Sequence, residues 1–139
     1  MVVVKSIRGA LPVLATVAIA GCAMTSGNLS SSAERLERSA YELREDARDD
    51  RVSSSYSRDA QEFAEEARDF RRVIADRRAD EGDVQDAFRD LSERYHALRD
   101  EVDRSNDREA ELDFKLVTEA YLDVEREVRA DRDRYASDD

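Results

Sequence analysis

The sequence predicts an all-α protein whose helices form an antiparallel up-and-down four-helix bundle. Residues that interrupt helices are scarce, since residues 22–139 contain no proline and just two glycines, Gly27 and Gly82. Apolar residues recur at alternating spacings of three and four, which places them along one side of a helix. Short segments without this period separate four such stripes, and short loops make consecutive helices antiparallel neighbours.

The first two stripes predict two helices in the first half of the chain. Ser31 and Glu34 have the spacing of a capping box, so the first helix is expected to begin at Ala33. A serine-rich segment without apolar period then separates it from a second helix, expected from about Ser57 to Ala79. The stripes consist of Ala33, Leu36, Ala40, Leu43 and Ala47 in the first helix, and of Ala60, Phe63, Ala67, Phe70 and Ile74 in the second.

Two further stripes predict the third and fourth helices. Asp83 is expected to cap the third helix, and the spacing of Asn106 and Glu109 indicates a capping box that opens the fourth. The bundle is therefore expected over residues 33–135, followed by a frayed acidic tail over residues 136–139. The stripes consist of Val84, Phe88, Leu91, Tyr95, Leu98 and Val102, and then of Ala110, Phe114, Val117, Tyr121, Val124 and Val128.

A long helical hairpin that pairs with a second copy, as in a coiled coil, is the alternative architecture. It would bury the same stripes, because their alternating spacing also suits a coiled-coil seam. The size of the domain in solution separates the two, since a compact monomer rules out the paired hairpin.

The region after the first 21 residues is strongly acidic. Residues 22–139 hold 21 lysines and arginines against 34 aspartates and glutamates, which gives a formal net charge of −13. A charge of this sign repels both nucleic acid and anionic lipid. We therefore expect no nucleic-acid partner, and we expect any membrane contact to be made by an attached lipid.

The N-terminal segment has the parts of a bacterial export signal. Lys5 and Arg8 precede an apolar stretch over residues 11–19, and small residues follow it. The stretch is shorter than the roughly 20 apolar residues of a membrane-spanning helix, so we interpret residues 1–21 as a cleaved signal peptide. An ordinary secreted protein that keeps Cys22 as a free thiol is the alternative interpretation.

Ile19, Ala20, Gly21 and Cys22 follow the order aliphatic, small, small, cysteine. This stretch resembles the lipobox of bacterial lipoproteins. The resemblance implies cleavage between Gly21 and Cys22, addition of diacylglycerol to the Cys22 sulfur, and a further acyl chain such as palmitate on the new amino group. Two or more acyl chains hold a protein firmly on a membrane. By the sorting preference of this class, Ala23 implies the outer membrane of a Gram-negative cell, on the periplasmic side.

Residues 22–32 are expected to form the lipidated N-terminus and a flexible tether. After Cys22 they are mostly small and polar, and they have no apolar period. Ten such residues reach up to roughly 30 Å when extended. The bundle would then be held away from the membrane surface.

No set of residues in the sequence predicts catalysis, a cofactor or a metal site. His96 is the single histidine, so the E-x-x-H motif of Glu93 and His96 lacks the second motif found in di-iron helical bundles. Because His96 is the only imidazole, no serine nucleophile has a plausible histidine base. Tyr95 and Tyr121 are expected in the core, with a ligand slot between them as the alternative. We therefore expect no enzyme activity.

The fourth helix carries leucines away from its main stripe. On a helical wheel Leu112 and Leu122 lie almost opposite the stripe, and Leu116 lies on its flank. Isolated exposed leucines are common and carry little meaning alone. A second apolar side could nevertheless dock an envelope protein or a second copy of the chain, so these three leucines form the predicted partner face.

Together these features predict a non-enzymatic, lipid-anchored protein of the cell envelope. Its acidic helical bundle is expected to serve as a structural or protein-interaction module, and it resembles other small helical envelope lipoproteins. The alternative is a periplasmic stress protein that holds unfolded clients or sequesters metal. Stress proteins of that kind often carry L-T-x-x-Q motifs, and this sequence has none.

Overall fold

The computed structural model describes residues 24–49 and 53–135, and every regular element in this part of the chain is an α-helix. The predicted all-α, four-helix fold is confirmed. The predicted signal peptide, Cys22 and the tail over residues 136–139 lie outside the described residues. The helices are α1 (Met24–Asp49), α2 (Ser54–Ala75), α3 (Glu81–Ser105) and α4 (Arg108–Tyr135).

The four helices form a ring in which each packs against two neighbours. Helix α1 contacts α2 and α4, helix α3 contacts the same two, and within the described residues no Cα atoms of opposite helices come within 8 Å. Contacts between α2 and α3 run in opposite residue order, since Phe63 meets Tyr95 and Phe70 meets Phe88. This reversal is the pattern of antiparallel neighbours joined by a short loop.

The core of the bundle consists of the four apolar stripes. Coverage is weaker at the end where α2 passes into α3, because Ile74, Val84 and Phe88 are half-buried there. The rest of each stripe is buried, as expected from the burial of one side of each amphipathic helix. The largest fully buried side chains are Phe63, Phe70, Leu36, Leu43, Leu91, Leu98, Val102, Val117 and Val124.

Side-chain size differs between the two halves of the core. Alanine supplies three of the six buried apolar residues in α1 and three of the six in α2, whereas α3 buries no alanine. The contacts of α3 with α4 are made by tyrosine and phenylalanine rings. Helix separation follows the size of the side chains at the contact, so the α1 and α2 backbones lie closer together than those of α3 and α4.

Helix α1 begins earlier than the sequence predicts. Its first residue is Met24 rather than Ala33, so residues 24–32 are helical and do not form the predicted flexible tether. Leu29 lies four residues before Ala33 and extends the apolar spacing, and it is 5% exposed. Ser32 is buried as well. Tertiary packing of this added stretch outweighs the modest helix propensity of its serines.

Helix α2 ends earlier than predicted. Its last residue is Ala75, not Ala79. Asp76 leaves the helical conformation with ψ 115°, and its Oδ1 accepts a hydrogen bond from the Arg78 N–H at 2.9 Å. A side chain bonded to nearby backbone in this way competes with the helix. At the other end of α2, Ser53 is the N-cap.

The caps of α3 and α4 also differ from the prediction. Asp80 rather than Asp83 is the N-cap of α3, and each of these two side chains accepts the other's backbone N–H at 3.0 Å. Helix α3 ends at Ser105, and the next residue, Asn106, has φ 54° and thus the left-handed conformation common after a helix. The carboxylate of Asp107 then accepts the N–H of Glu109 at 2.9 Å, at the start of α4.

Candidate functional site

Tyr95 and Tyr121 stack against each other between α3 and α4. Their ring centroids are 3.9 Å apart and their planes differ by 3°. Phe114 stacks on Tyr95 at 5.4 Å and Phe88 on Tyr121 at 6.0 Å, which completes a row of four rings. The two tyrosine rings are in van der Waals contact, so no ligand fits between them. They are core residues, and the alternative of a ligand slot at this position is wrong.

The hydroxyl groups of these tyrosines are engaged by neighbouring side chains. The Tyr121 hydroxyl shares a hydrogen bond of 2.7 Å with Ser92, and the Tyr95 hydroxyl donates to Thr118 Oγ1 at 3.2 Å. Burial raises the pKa of Tyr121 above its ordinary value, although the bond with Ser92 acts in the opposite direction. The phenol is therefore a neutral structural group at physiological pH.

Glu101 is a buried carboxylate that the sequence analysis did not single out. It is 7% exposed, and its Oε1 accepts hydrogen bonds from the hydroxyls of Ser55 and, at 3.3 Å, of Ser53. Its Oε2 lies 3.0 Å from Arg104 Nη1. The hydrogen bond from Ser55 is the main cause that lowers the pKa of Glu101, and it outweighs the opposing effect of burial.

This polar group joins the start of α2 to the end of α3. A carboxylate beside a helix N-terminus is electrostatically favourable, and Ser53 is the cap of α2. Tyr56 and Asp107 contribute to the walls of an adjacent cavity of about 350 Å³. Because its hydrogen bonds stabilise the ionised form, Glu101 is a weak proton acceptor. The spacing of Glu101 from Leu98, three residues along the apolar stripe, was the signal in the sequence that it faces inward.

The E-x-x-H motif lies on the outside of α3. Glu93 and His96 are both exposed, and the imidazole ring packs edge-on against Tyr95 with 5.5 Å between the centroids. Among residues 24–49 and 53–135, no group of three or more His, Cys, Asp or Glu side chains is placed to hold a metal ion. Glu66 and Asp90 line a surface cavity together with Glu93, but the described residues do not complete a metal site around this motif.

Acidic side chains crowd the groove between α2 and α3. Burial raises the pKa of Glu66, and repulsion by Asp90 and Asp69 raises it further. Arg94 acts in the opposite direction, and it also contacts the Glu62 carboxylate at 2.5 Å. The raised pKa of Glu66 means that this patch opposes folding when all its carboxylates are ionised.

A cleft of about 320 Å³ lies at the end of the bundle where α1 begins. Its apolar walls come from all four helices, with Leu29, Ile74, Val84 and Val128. The half-buried state of Ile74 and Val84 reflects this incomplete closure. The cleft is thus an open end of the core at the side of the molecule that is nearest the N-terminus of α1.

The predicted partner face lies on the surface of α4. Leu112 is 61% exposed, Leu116 is 59% exposed and Leu122 is 46% exposed. Within the described residues the other large exposed apolar side chain is Tyr41, and the Arg44 guanidinium lies 4.2 Å from the centroid of its ring. The leucines of α4 are therefore the largest aliphatic side chains left uncovered in this part of the protein.

The predicted lipidation residue, Cys22, lies outside the described residues, as does Gly21. Helix α1 begins at Met24, so a single residue, Ala23, separates the cysteine from the helix along the chain. In the described ranges, none of the helices is both long enough and apolar enough to span a membrane.

Comparisons with known proteins give no relative: no family model, no curated protein and no solved structure matches this chain.

Proposed function

We propose that this chain is a lipid-anchored protein of the bacterial cell envelope, with a non-enzymatic helical bundle that serves as a structural or protein-interaction module. The observation that carries the proposal is the motif Ile19, Ala20, Gly21 and Cys22 at the end of an export signal. Cleavage before Cys22 would leave its amino group and its sulfur free for acylation. Several acyl chains make membrane attachment effectively permanent.

The charge of the polypeptide supports attachment through lipid alone. The formal net charge after the signal is −13, which opposes binding to an anionic lipid surface. Ion pairs on the helix surfaces leave acidic groups in excess, as in the groove that contains Glu66. A lipidated Cys22 is then the group that holds the protein on the membrane.

The early start of α1 supports a role as a structural module. A helix of 26 residues is about 39 Å long. Since it begins at Met24, the chain between the proposed anchor and the bundle is short. The bundle is therefore positioned close to the membrane by a stiff element, whereas a flexible tether would leave its position free.

The packing of the bundle supports a non-enzymatic role. Stacked rings fill the space between α3 and α4, and the buried carboxylate Glu101 is bonded to Ser53 and Ser55. The stacked rings and Glu101 therefore stabilise the contacts between helices. The uncovered leucines of α4 are the feature that is left for contact with another protein.

Metabolic labelling with an alkyne fatty acid tests the anchor. The wild-type chain should be labelled and recovered in the membrane fraction, whereas Cys22→Ser should be neither. A matched control combines Cys22→Ser with Ser26→Cys, which keeps a thiol but places it outside the motif, and it should remain unlabelled. Label on the control or on Cys22→Ser, or an unlabelled wild-type chain, would contradict the proposal.

Separation of inner and outer membranes tests the proposed location. We expect the wild-type chain in the outer membrane. Because the sorting preference depends on the residue after the cysteine, Ala23→Asp should move the labelled chain to the inner membrane. If the wild-type chain and Ala23→Asp were both recovered in the inner membrane, the proposed outer-membrane location would be wrong. The proposal of a lipid anchor would not be affected.

A further inference from the structure

We propose that the outer face of α4, defined as Leu112, Lys115, Leu116, Glu119 and Leu122, binds the same face of a second copy of this chain in an antiparallel pair. All five side chains are exposed. The inference goes beyond the proposed lipid anchor and does not depend on it.

The outer face of α4 has the spacing of a helix–helix contact. Leu112, Lys115, Glu119 and Leu122 follow one another at intervals of three, four and three residues, so they form one stripe along the helix. Leu116 borders this stripe, one turn from Leu112. The result is two charged residues at the centre of the stripe with a leucine at each end.

The two central charges have no ion-pair partner among residues 24–49 and 53–135. Neither Lys115 nor Glu119 forms an ion pair with another described residue, although they are one turn apart. By contrast, Arg126 further along the same helix is paired with Asp123 at 3.1 Å. Lys115 and Glu119 are therefore available to a second molecule that presents opposite charges at the same spacing.

A second copy of the chain presents these charges when its α4 runs in the opposite direction. If the pair is centred at the level of Val117, Lys115 of each copy faces Glu119 of the other, and Leu112 faces Leu122. The five residues of this face are thus complementary to the same residues of a second copy under two-fold symmetry, as isologous interfaces require, whereas the next positions of the stripe, Arg108 and Arg126, would face each other. A parallel pair would place Lys115 beside Lys115 and Glu119 beside Glu119, and such like-charge contacts are unfavourable.

The contact is small, so the association should be weak and of the transient class below about 1,200 Å² of buried surface. An antiparallel pair also places the N-terminal ends of the two α1 helices at opposite ends of the dimer. Two copies anchored in one membrane would therefore pair with their long axes parallel to its surface.

Zero-length crosslinking of amines to carboxylates captures this contact directly. The full chain has two lysines, Lys5 and Lys115, so few amines can react. With the full chain in mild detergent, we expect a covalent dimer in which Lys115 of one copy is joined to Glu119 of the other. The Lys115→Arg variant keeps the charge but lacks the amine, so it should associate without forming this crosslink.

Charge reversal tests whether the partner is a second copy. Lys115→Glu and Glu119→Lys should each weaken self-association by about tenfold, equivalent to about 1.4 kcal/mol. Mixed together, these two variants should associate as well as the wild type, because each now carries the charges that the other needs. The double variant Lys115→Glu/Glu119→Lys should associate with itself. Co-purification of two differently tagged copies measures all four cases.

Circular dichroism should give the wild-type helix content for every variant, since both positions are exposed. The proposal is overturned if the single variants self-associate as strongly as the wild type, or if mixing them restores nothing. It is also overturned if no covalent dimer joins Lys115 to Glu119 of a second copy, or if Lys115 is crosslinked only to a different protein.

Discussion

Replacing Glu101 by alanine is expected to destabilise the bundle by about 2–3 kcal/mol. The hydroxyls of Ser53 and Ser55 would lose a charged acceptor that is itself buried, and hydrogen bonds to charged groups contribute about 1.5–3 kcal/mol. Arg104 adds less than about 1 kcal/mol, because its side chain is 69% exposed. For a domain of this size, a loss of about 2 kcal/mol lowers the midpoint of thermal unfolding by roughly 8 °C.

Two further variants separate the charge of Glu101 from its shape. Glu101→Gln keeps the size of the side chain and one acceptor oxygen, so it should cost about 1 kcal/mol. Glu93→Gln removes an exposed carboxylate from the same helix and should stay within about 0.5 kcal/mol of the wild type. Urea unfolding at neutral pH, followed by circular dichroism, measures all three free energies of unfolding.

The effect should depend on pH in one direction. Because the pKa of Glu101 is lower in the folded protein than its ordinary value of 4.5, the carboxylate stabilises the fold above that value. This contribution is lost as the pH falls through the lowered pKa, so the difference between wild type and Glu101→Gln should shrink on acidification. A difference that stays constant or grows on acidification would refute the reasoning, as would a Glu101→Ala variant as stable as the wild type.

Two other predictions concern Tyr121 at alkaline pH and Leu29 near the start of α1. Since burial raises the pKa of Tyr121 above 10.0, its neutral form stabilises the fold below that pH, and this stability is lost as the pH rises through the raised pKa. The Tyr121→Phe variant lacks this ionisable group, so its free energy of unfolding should fall less than that of the wild type between neutral and alkaline pH. An equal fall in the two proteins would contradict this. Leu29→Ala should cost about 2 kcal/mol, because the side chain is 5% exposed, whereas the exposed Asn28→Ala should cost less than about 0.5 kcal/mol in the same urea titration. Equal stability of these two variants would mean that α1 does not extend to this region.

The number and order of the helices could be predicted because the spacing of apolar residues reports directly on which side of a helix is buried. Leu36, Phe63 and Leu98 lie where their spacing places them. The spacing carries this information since a helix with one apolar side must cover it, whatever the local propensities are. A sequence with few helix breakers and four such stripes has few other ways to bury them.

Helix ends were harder to predict, because several residues can serve as caps and tertiary contacts decide between them. Asp80 and Asp83 are both good N-caps, and the structure uses Asp80 because Asp83 can then return the bond to its backbone. Leu29 stands between Gly27-Asn28 and the serines 30–32, which are modest helix formers, and its burial depends on the neighbouring helices. Propensity alone is a weak guide where packing contributes more.

The buried polar contacts could not be predicted for a related reason. Glu101 and Ser55 are 46 positions apart, and nothing local to either residue says that they meet. The exposed leucines of α4 were predicted, since a helical wheel places them away from the core. Whether they bind a partner is a property of two molecules, and the sequence does not show that Lys115 and Glu119 form no ion pair with the other described residues.

The alanine-rich contact between α1 and α2 has a mechanical consequence. Ala40 and Ala67 are fully buried, and small side chains of this kind let two helix backbones approach closely over their length. A pull on the N-terminal end of α1 would act along the helix axis and would have to slide α1 past α2 as a whole. Close-packed interiors resist such shear and transmit the strain. A load applied at the N-terminus is therefore shared from the start by α1 and by the two helices that it contacts, α2 and α4.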